Sequence, residues 1–239
     1  MIRYHGTPIT PTEAAVRVLR GRHAFVSFFA PESLATVCEF CQSFALDNGA
    51  FSVWKREAEP NWPKYYDWVA DVARRPNCDF AIIPDVIDGT EEENDALVEE
   101  WPHGIDLGVP VFHLHESLAR LRRLTIDWPR IALGSSGHYD TPGTDQWWMR
   151  MSQIMEEICD RDGYPLVKLH GLRMLNPSIF GHAPLSSADS THMAQKMGTP
   201  WSGQYAPRTK ATKGIVMAER VELAPTALQW KGYKQEVLW

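Results

Sequence analysis

Cysteine is scarce in this sequence, with four residues at positions 38, 41, 78 and 159. Only Cys38 and Cys41 have CxxC spacing, and neither a second pair nor a nearby histidine completes a tetrahedral zinc site. The segment ESLATVCEFCQS reads as helical and puts both thiols on one face. Ordinary helix-face thiols are the plain reading, a metal or redox role is the alternative, and a disulfide framework is not expected. No apolar run approaches the roughly 20 residues that cross a bilayer. The opening MIRYHGTPIT has no basic-then-apolar leader layout, so the expected location is cytoplasmic, with no membrane partner. Positive charge is also in short supply: 24 Lys and Arg stand against 30 Asp and Glu, a net charge of −6. That balance argues against a generally basic protein that coats nucleic acid, while leaving room for a local basic groove. No GxGxxG fingerprint follows the first apolar run, which weakens the case for a doubly wound, dinucleotide-binding sheet.

What the 239 residues do contain is alternation. Short apolar runs lie at 2–6, 24–29, 43–49, 80–85, 109–115, 130–135, 165–171 and 184–190, and amphipathic stretches separate most of them. Parallel strands joined by crossover helices give this pattern, and eight units predict an α/β fold built as a single (β/α)8 TIM barrel. The seventh unit is weak, because NPSIFGHA is too short for a full helix. The expected organisation is a barrel over 1–197 and a short C-terminal extension over 198–239 packing on it. The acidic GTEEENDALVEEW reads as a solvated helix. Lys196, Arg208, Lys210 and Lys213 lie close together in a stretch containing Gly, Pro and Ser. A solvated loop is one reading of it, and a loop contacting nucleic-acid phosphates is the other.

Barrel enzymes carry their reactive groups on the rim formed by the C-terminal ends of the strands. The ends of these eight runs carry His5, Asp47, Asp85, His113 and His115, Ser135 and Ser136, His170, and Asp189. Any one of them can be a turn or a helix cap, as Asp-Asn-Gly at 47–49 can be a plain turn. Their shared placement on one rim points to an enzyme. Two carboxylates across a pocket can run glycosidic-bond chemistry, one attacking the anomeric carbon and the other moving protons. Asp47 and Asp189 suit those roles. Asp85 is left to read hydrogen-bond donors, and the N1–H and N2–H2 of guanine match the two oxygens of a carboxylate.

With these residues in place, the sequence resembles the tRNA-guanine transglycosylase superfamily, in particular its short phage-type branch of 7-deazaguanine DNA transglycosylases (DpdA-like). Asp47-Asn48-Gly49-Ala50-Phe51 resembles the family's Asp-Ser-Gly-Gly-Phe motif. Asp85 in IIPDVIDGT matches its base-binding acid, His113 the polar end of the next strand, and Gly134 in IALGSSG the glycine of the strand after that. HGLRML at 170–175 is similar to the next base-facing strand, and SADSTHMAQK to the nucleophile motif of the branch. The resemblance runs from about residue 24 to 198, in order.

The resemblance implies Asp189 as nucleophile and Asp47 as acid/base. It implies a base site from Asn48, Gly49, Phe51, Asp85, His113, Gly134, Ser135, His170, Leu172 and Arg173. The implied partners are DNA, or alternatively tRNA, and a free 7-deazaguanine base, with no metal and no other cofactor. The implied location is a host cytoplasm if the chain is phage-encoded. Two departures stand out. No cysteine follows Asp189, so the zinc subdomain of the tRNA enzymes is not expected, and Asn48 and Ala50 replace a serine and a glycine. Three alternatives remain: a glycosylase that admits water instead of a second base, a non-catalytic nucleic-acid-binding barrel, and a metal-dependent amidohydrolase-like barrel using His113, His115, His170 and Asp189.

Overall fold

A computed structural model describes residues 1–57, 59–199 and 209–233. Its strands are β1 Ile2–Gly6, β2 His23–Ser27, β3 Ser43–Asp47, β4 Cys78–Ile82, β5 Gly108–Val109, β6 Val111–His113, β7 Arg130–Gly134, β8 Lys168–Gly171 and β9 Ser187–Ser190. All pairings among them are parallel, in the order β5-β4-β3-β2-β1-β9-β8-β7-β6. Pro110 alone separates β5 from β6. It has no N–H to give a ladder, yet its carbonyl accepts from Ala132 N at 2.9 Å. The segment 108–113 therefore pairs with β4 on one side and β7 on the other, and the sheet is a nearly closed barrel.

The helices are α1 Thr12–Leu19, α2 Leu34–Phe40, α3 Ala50–Arg56, α4 Trp62–Val72, α5 Glu91–Glu99, α6 Leu118–Asp127, α7 Asp145–Ile158, α8 Pro177–Phe180, α9 His192–Lys196 and α10 Lys210–Glu222. Several begin where side chains satisfy free backbone amides. Thr90 and Glu93 form a capping box on α5, and Asn61, Ser117 and Thr144 cap α4, α6 and α7. None of the described helices is long and apolar enough to cross a membrane.

Strand residues alternate between two cores, as the two-residue period requires. Tyr4, Phe25, Ala45, Phe80, Ile82, Val111 and Ala132 fill the barrel interior. Ala24, Val26, Phe44, Leu46, Ala81, Ile83, Phe112, Ile131 and Leu133 face the helices.

Two elements differ from the sequence expectation. The chain turns into helix α3 directly after Gly49, whose φ of 78° is the left-handed region that glycine tolerates. A Cβ at that position would stand 2.3 Å from the Phe29 ring. The stretch after Thr209 is helix α10, not a loop. Its buried positions are Lys213, Gly214 and Ala218, and Ala211, Ile215, Met217 and Val221 pack partly buried against the core beside them. The buried Lys213 directs Nζ to the carbonyl and hydroxyl of Thr199, so it does not present its charge to a phosphate. Arg208 lies outside the described residues.

Helix α10 lies close on α1: a Cβ on Gly214 would be 2.7 Å from Val18 Cγ2. Gly214→Val should overpack this contact and lower unfolding free energy by about 1–3 kcal/mol. A thermal melt matching wild type would contradict the tight seating of α10.

Candidate active site

At the C-terminal ends of the strands the barrel opens into a cavity of about 810 Å³. The strand period explains who lines it. Continuing inward-facing Ala45, Val111 and Ala132 by two residues gives Asp47, His113 and Gly134, and all three are on its wall. Parallel register places Ser27 beside Asp47 and Gly134 beside His113. Asn48, Phe51, Asp85, Ser135, Leu172, Arg173 and Asp189 complete the sequence-derived residues on this wall.

Asp47 is the most perturbed of the acids. Burial first, and then the neighbouring Asp189 and Asp85 carboxylates, push its pKa up to about 7. The Gly49 amide and the Ser27 hydroxyl pull the other way without reversing the shift. Near neutral pH the group therefore exists in both forms, as a proton shuttle requires.

Asp85 sits between an amide and an imidazole. Asn48 Nδ2 donates to Asp85 Oδ1 at 2.7 Å and to the Ile83 carbonyl at 2.8 Å, while Asn48 Oδ1 accepts from Ala50 N at 2.7 Å. His113 Nε2 lies 3.0 Å from Asp85 Oδ2, close enough for an ion pair but not aligned as a hydrogen bond. The other ring nitrogen, Nδ1, is buried without a hydrogen-bond partner among the described residues. Gly134 leaves space for this ring, since a Cβ there would stand 3.1 Å from Nδ1.

Asp189 accepts from Arg173 N at 2.9 Å through Oδ1, with His170 Nε2 at 3.5 Å from the same oxygen. Arg173 has a φ of 60°, unusual for a residue with a side chain, so the turn that delivers its amide to Asp189 is strained.

Behind the wall, Asn94 and Glu116 tie two loops together. Asn94 accepts from Val86 N at 2.8 Å and donates to Val86 O at 3.2 Å and Glu116 Oε1 at 3.0 Å. Glu116 Oε2 takes the His113 amide at 2.8 Å and Arg120 Nη1 at 2.6 Å. The loop carrying Asp85 and the end of β6 carrying His113 are thus held against each other by buried polar groups.

Some expectations are corrected. His170 does not reach the cavity: it is wholly buried among Tyr4, Phe25 and Phe80, with Nδ1 on Ser187 Oγ at 2.9 Å, and it supports Asp189 from beneath. Gly49 is not on the wall either; it gives its amide to Asp47 and starts α3. His5 faces outward, 2.9 Å from Glu222 Oε1, because it is one residue out of phase with inward-facing Tyr4. His115 is exposed and bonds Ser136 Oγ at 2.7 Å. The ligand set of the metal-dependent alternative is therefore not assembled. Among the described residues no three His, Cys, Asp or Glu side chains are grouped to hold a metal ion.

The wall also carries residues that the sequence reading missed: Ser27, Phe29, Glu32, Lys55, Arg56 and Gln195. Ser27 was within reach, since it lies in the second apolar run. Lys55 and Arg56 were not, because they depend on α3. No protein-family model matches the chain, and no curated protein matches it in a sequence search.

The raised pKa of Asp47 has a consequence for stability. An unfolded aspartate releases its proton near 3.8, whereas the folded one holds it to about 7. Folded wild type therefore loses stability as pH rises from about 4 to 7 and no further above that. Asp47→Asn lacks this slope. Its stability relative to wild type should rise by about 2–4 kcal/mol between acid and mildly alkaline pH. Denaturant titrations at both ends of the window check this, and a pH-independent difference would contradict it.

Proposed function

We propose that the protein is a base-exchange transglycosylase that replaces guanine in DNA with a 7-deazaguanine through a covalent Asp189-glycosyl intermediate. The observation that carries this reading is the convergence of Asp47, Asp85 and Asp189 in one cavity, with Asp47 titrating close to neutrality. In this reading the barrel is eight-fold, with 108–113 counted as one strand, and it has no zinc subdomain.

The target nucleotide is flipped out of its stack at a cost of a few kcal/mol. An Asp189 oxygen attacks C1′ as the bond from C1′ to N9 breaks, and protonated Asp47 gives its proton to the departing guanine. The incoming 7-deazaguanine then loses its N9 proton to Asp47, and N9 attacks C1′ and expels Asp189. Two displacements retain configuration, and the proton count closes. Neither ATP nor a redox group is needed for this sequence of steps.

Asp85 reads the N1–H and N2–H2 donors of the base. Asn48 takes one lone pair of Asp85 Oδ1 and His113 Nε2 stands 3.0 Å from Oδ2, which leaves lone pairs on both oxygens for that role. Phe51, exposed at the cavity, supplies an apolar ring face for the purine. Transfer of the intermediate to water instead of a base would make the same site a glycosylase, and the assay below separates the two outcomes.

Incubation with labelled guanine or 7-deazaguanine and single-stranded DNA, duplex DNA or tRNA should put label into DNA. Asp189→Asn should reduce incorporation by more than a thousand-fold, about 4 kcal/mol of barrier, with an unchanged circular dichroism spectrum. Retention of more than a tenth of the wild-type rate removes Asp189 from the nucleophile role. Release of guanine with no label incorporated identifies the glycosylase.

A further inference from the structure

Exposed aromatic rings and cations stand together at the cavity mouth. Phe51 and Lys55 are one helical turn apart on α3, as are Ser52 and Arg56, and all four line the cavity. Across the mouth, the Arg173 guanidinium lies 4.3 Å from the Phe51 ring centroid, and Arg56 lies 5.9 Å from that of Phe29. Trp54 extends the strip, its ring centroid 5.6 Å from that of Phe51 and its Nε1 donating to Asp88 Oδ2 at 2.7 Å.

The aromatic groups are large and open: Phe29, Phe51 and Trp54 are 42%, 39% and 49% exposed. Lys55, Arg56 and Arg173 are exposed as well and make no salt bridge among the described residues. Arg17, Arg122 and Arg123 pair with Glu13, Glu157 and Asp95, while the exposed Arg20, Arg74 and Arg161 elsewhere on the surface, like the mouth cations, make no salt bridge among the described residues. Beyond the three acids of the site, Glu32 is the one carboxylate on the cavity wall among the described residues.

We infer that this mouth is the track of a single DNA strand, which runs unstacked past the cavity with phosphates on Lys55, Arg56 and Arg173 and flanking bases on Trp54 and Phe29. The inference rests on the base-exchange reading and adds the form of the polymer and where it lies. Unpaired cations interleaved with exposed aromatic faces suit a single strand, because a base inside a duplex has no free face to offer a ring. An arginine already stacked on a ring keeps its second face for a base and its N–H groups for phosphate. It moves the backbone contacts away from Lys196, Lys210 and Lys213, of which Lys213 is buried and the other two are exposed.

Fluorescence anisotropy with a short labelled oligodeoxynucleotide containing one guanine, titrated over a range of salt, tests this. The single strand should bind more tightly than the matching duplex. Combined Lys55→Ala and Arg56→Ala substitution should lower the slope of log affinity against log salt by about 1.4, two phosphates at about 0.7 each. Trp54→Leu, at an exposed position, should weaken binding by about five-fold or more with the melting temperature unchanged. A wild-type slope in the α3 double variant overturns the proposal, as does tighter binding of the duplex. A slope flattened instead by Lys196→Ala with Lys210→Ala does the same. If label still enters DNA in those cases, base exchange stands and only the track is wrong. Wild type that binds no polynucleotide even at low salt overturns both.

Discussion

A carboxylate withdrawn from water gives up hydration worth several kcal/mol, and three of them share this cavity. Each is made tolerable in a different way. Asp47 keeps its proton up to about pH 7, Asp85 is held by the Asn48 amide and faces His113, and Asp189 takes the Arg173 amide with His170 beneath it. That inequality sets the three groups apart: one titrates near neutrality, one is fixed by a side-chain amide, and one is fixed by a backbone amide. If Asp47 were as well solvated as an ordinary surface aspartate, it would be ionised at neutral pH and would have no proton to give.

The scaffold meets this cost by rigidity on both sides of the barrel. Asn94 and Glu116 clasp the loops behind Asp85 and His113, with Arg120 buried against Glu116 and bonded to Asp95. At the opposite, N-terminal end, Tyr4 Oη donates to Asp79 Oδ2 at 2.5 Å, Ser43 donates to the same oxygen, and His23 Nδ1 is 2.8 Å from Ser43 Oγ. Burial and the Asp79 carboxylate hold the Tyr4 hydroxyl far above its ordinary range, so it acts as a permanent donor. The two ends of one barrel thus carry polar networks of different kinds. One is closed on itself, whereas the other leaves a buried histidine nitrogen without a partner among the described residues and an acid that holds its proton to about pH 7 on the cavity wall.

Much of this was legible in the sequence, for a geometric reason. Apolar runs with a two-residue period mark buried strands, and the same period continued past the last apolar residue aims Asp47, His113 and Asp189 inward. The reading failed where one residue of phase matters: His5 adjoins inward Tyr4 and turns outward. It failed again at His170, which is inside the barrel but too deep to meet a ligand. α3 escaped because an Asn-Gly pair reads as a turn and only Ala50 and Val53 of its seven residues are buried. α10 escaped because the Gly, Pro and Ser before it read as a loop, although Ala211, Ile215, Ala218 and Val221 recur along it at helical spacing and pack on the core. Lys55 and Arg56 were hidden with α3, whereas Arg173 was already in the base site that the resemblance implies.

Asp189 as the covalent carrier is the claim on which the functional account turns. Acid quenching of the protein with a guanine-containing oligodeoxynucleotide, in the absence of any incoming base, would trap the intermediate for mass spectrometry. The account predicts a peptide spanning Asp189 heavier by the oligonucleotide less guanine, bound through its carboxylate. Guanine release with no adduct, or an adduct on Asp47, would contradict it.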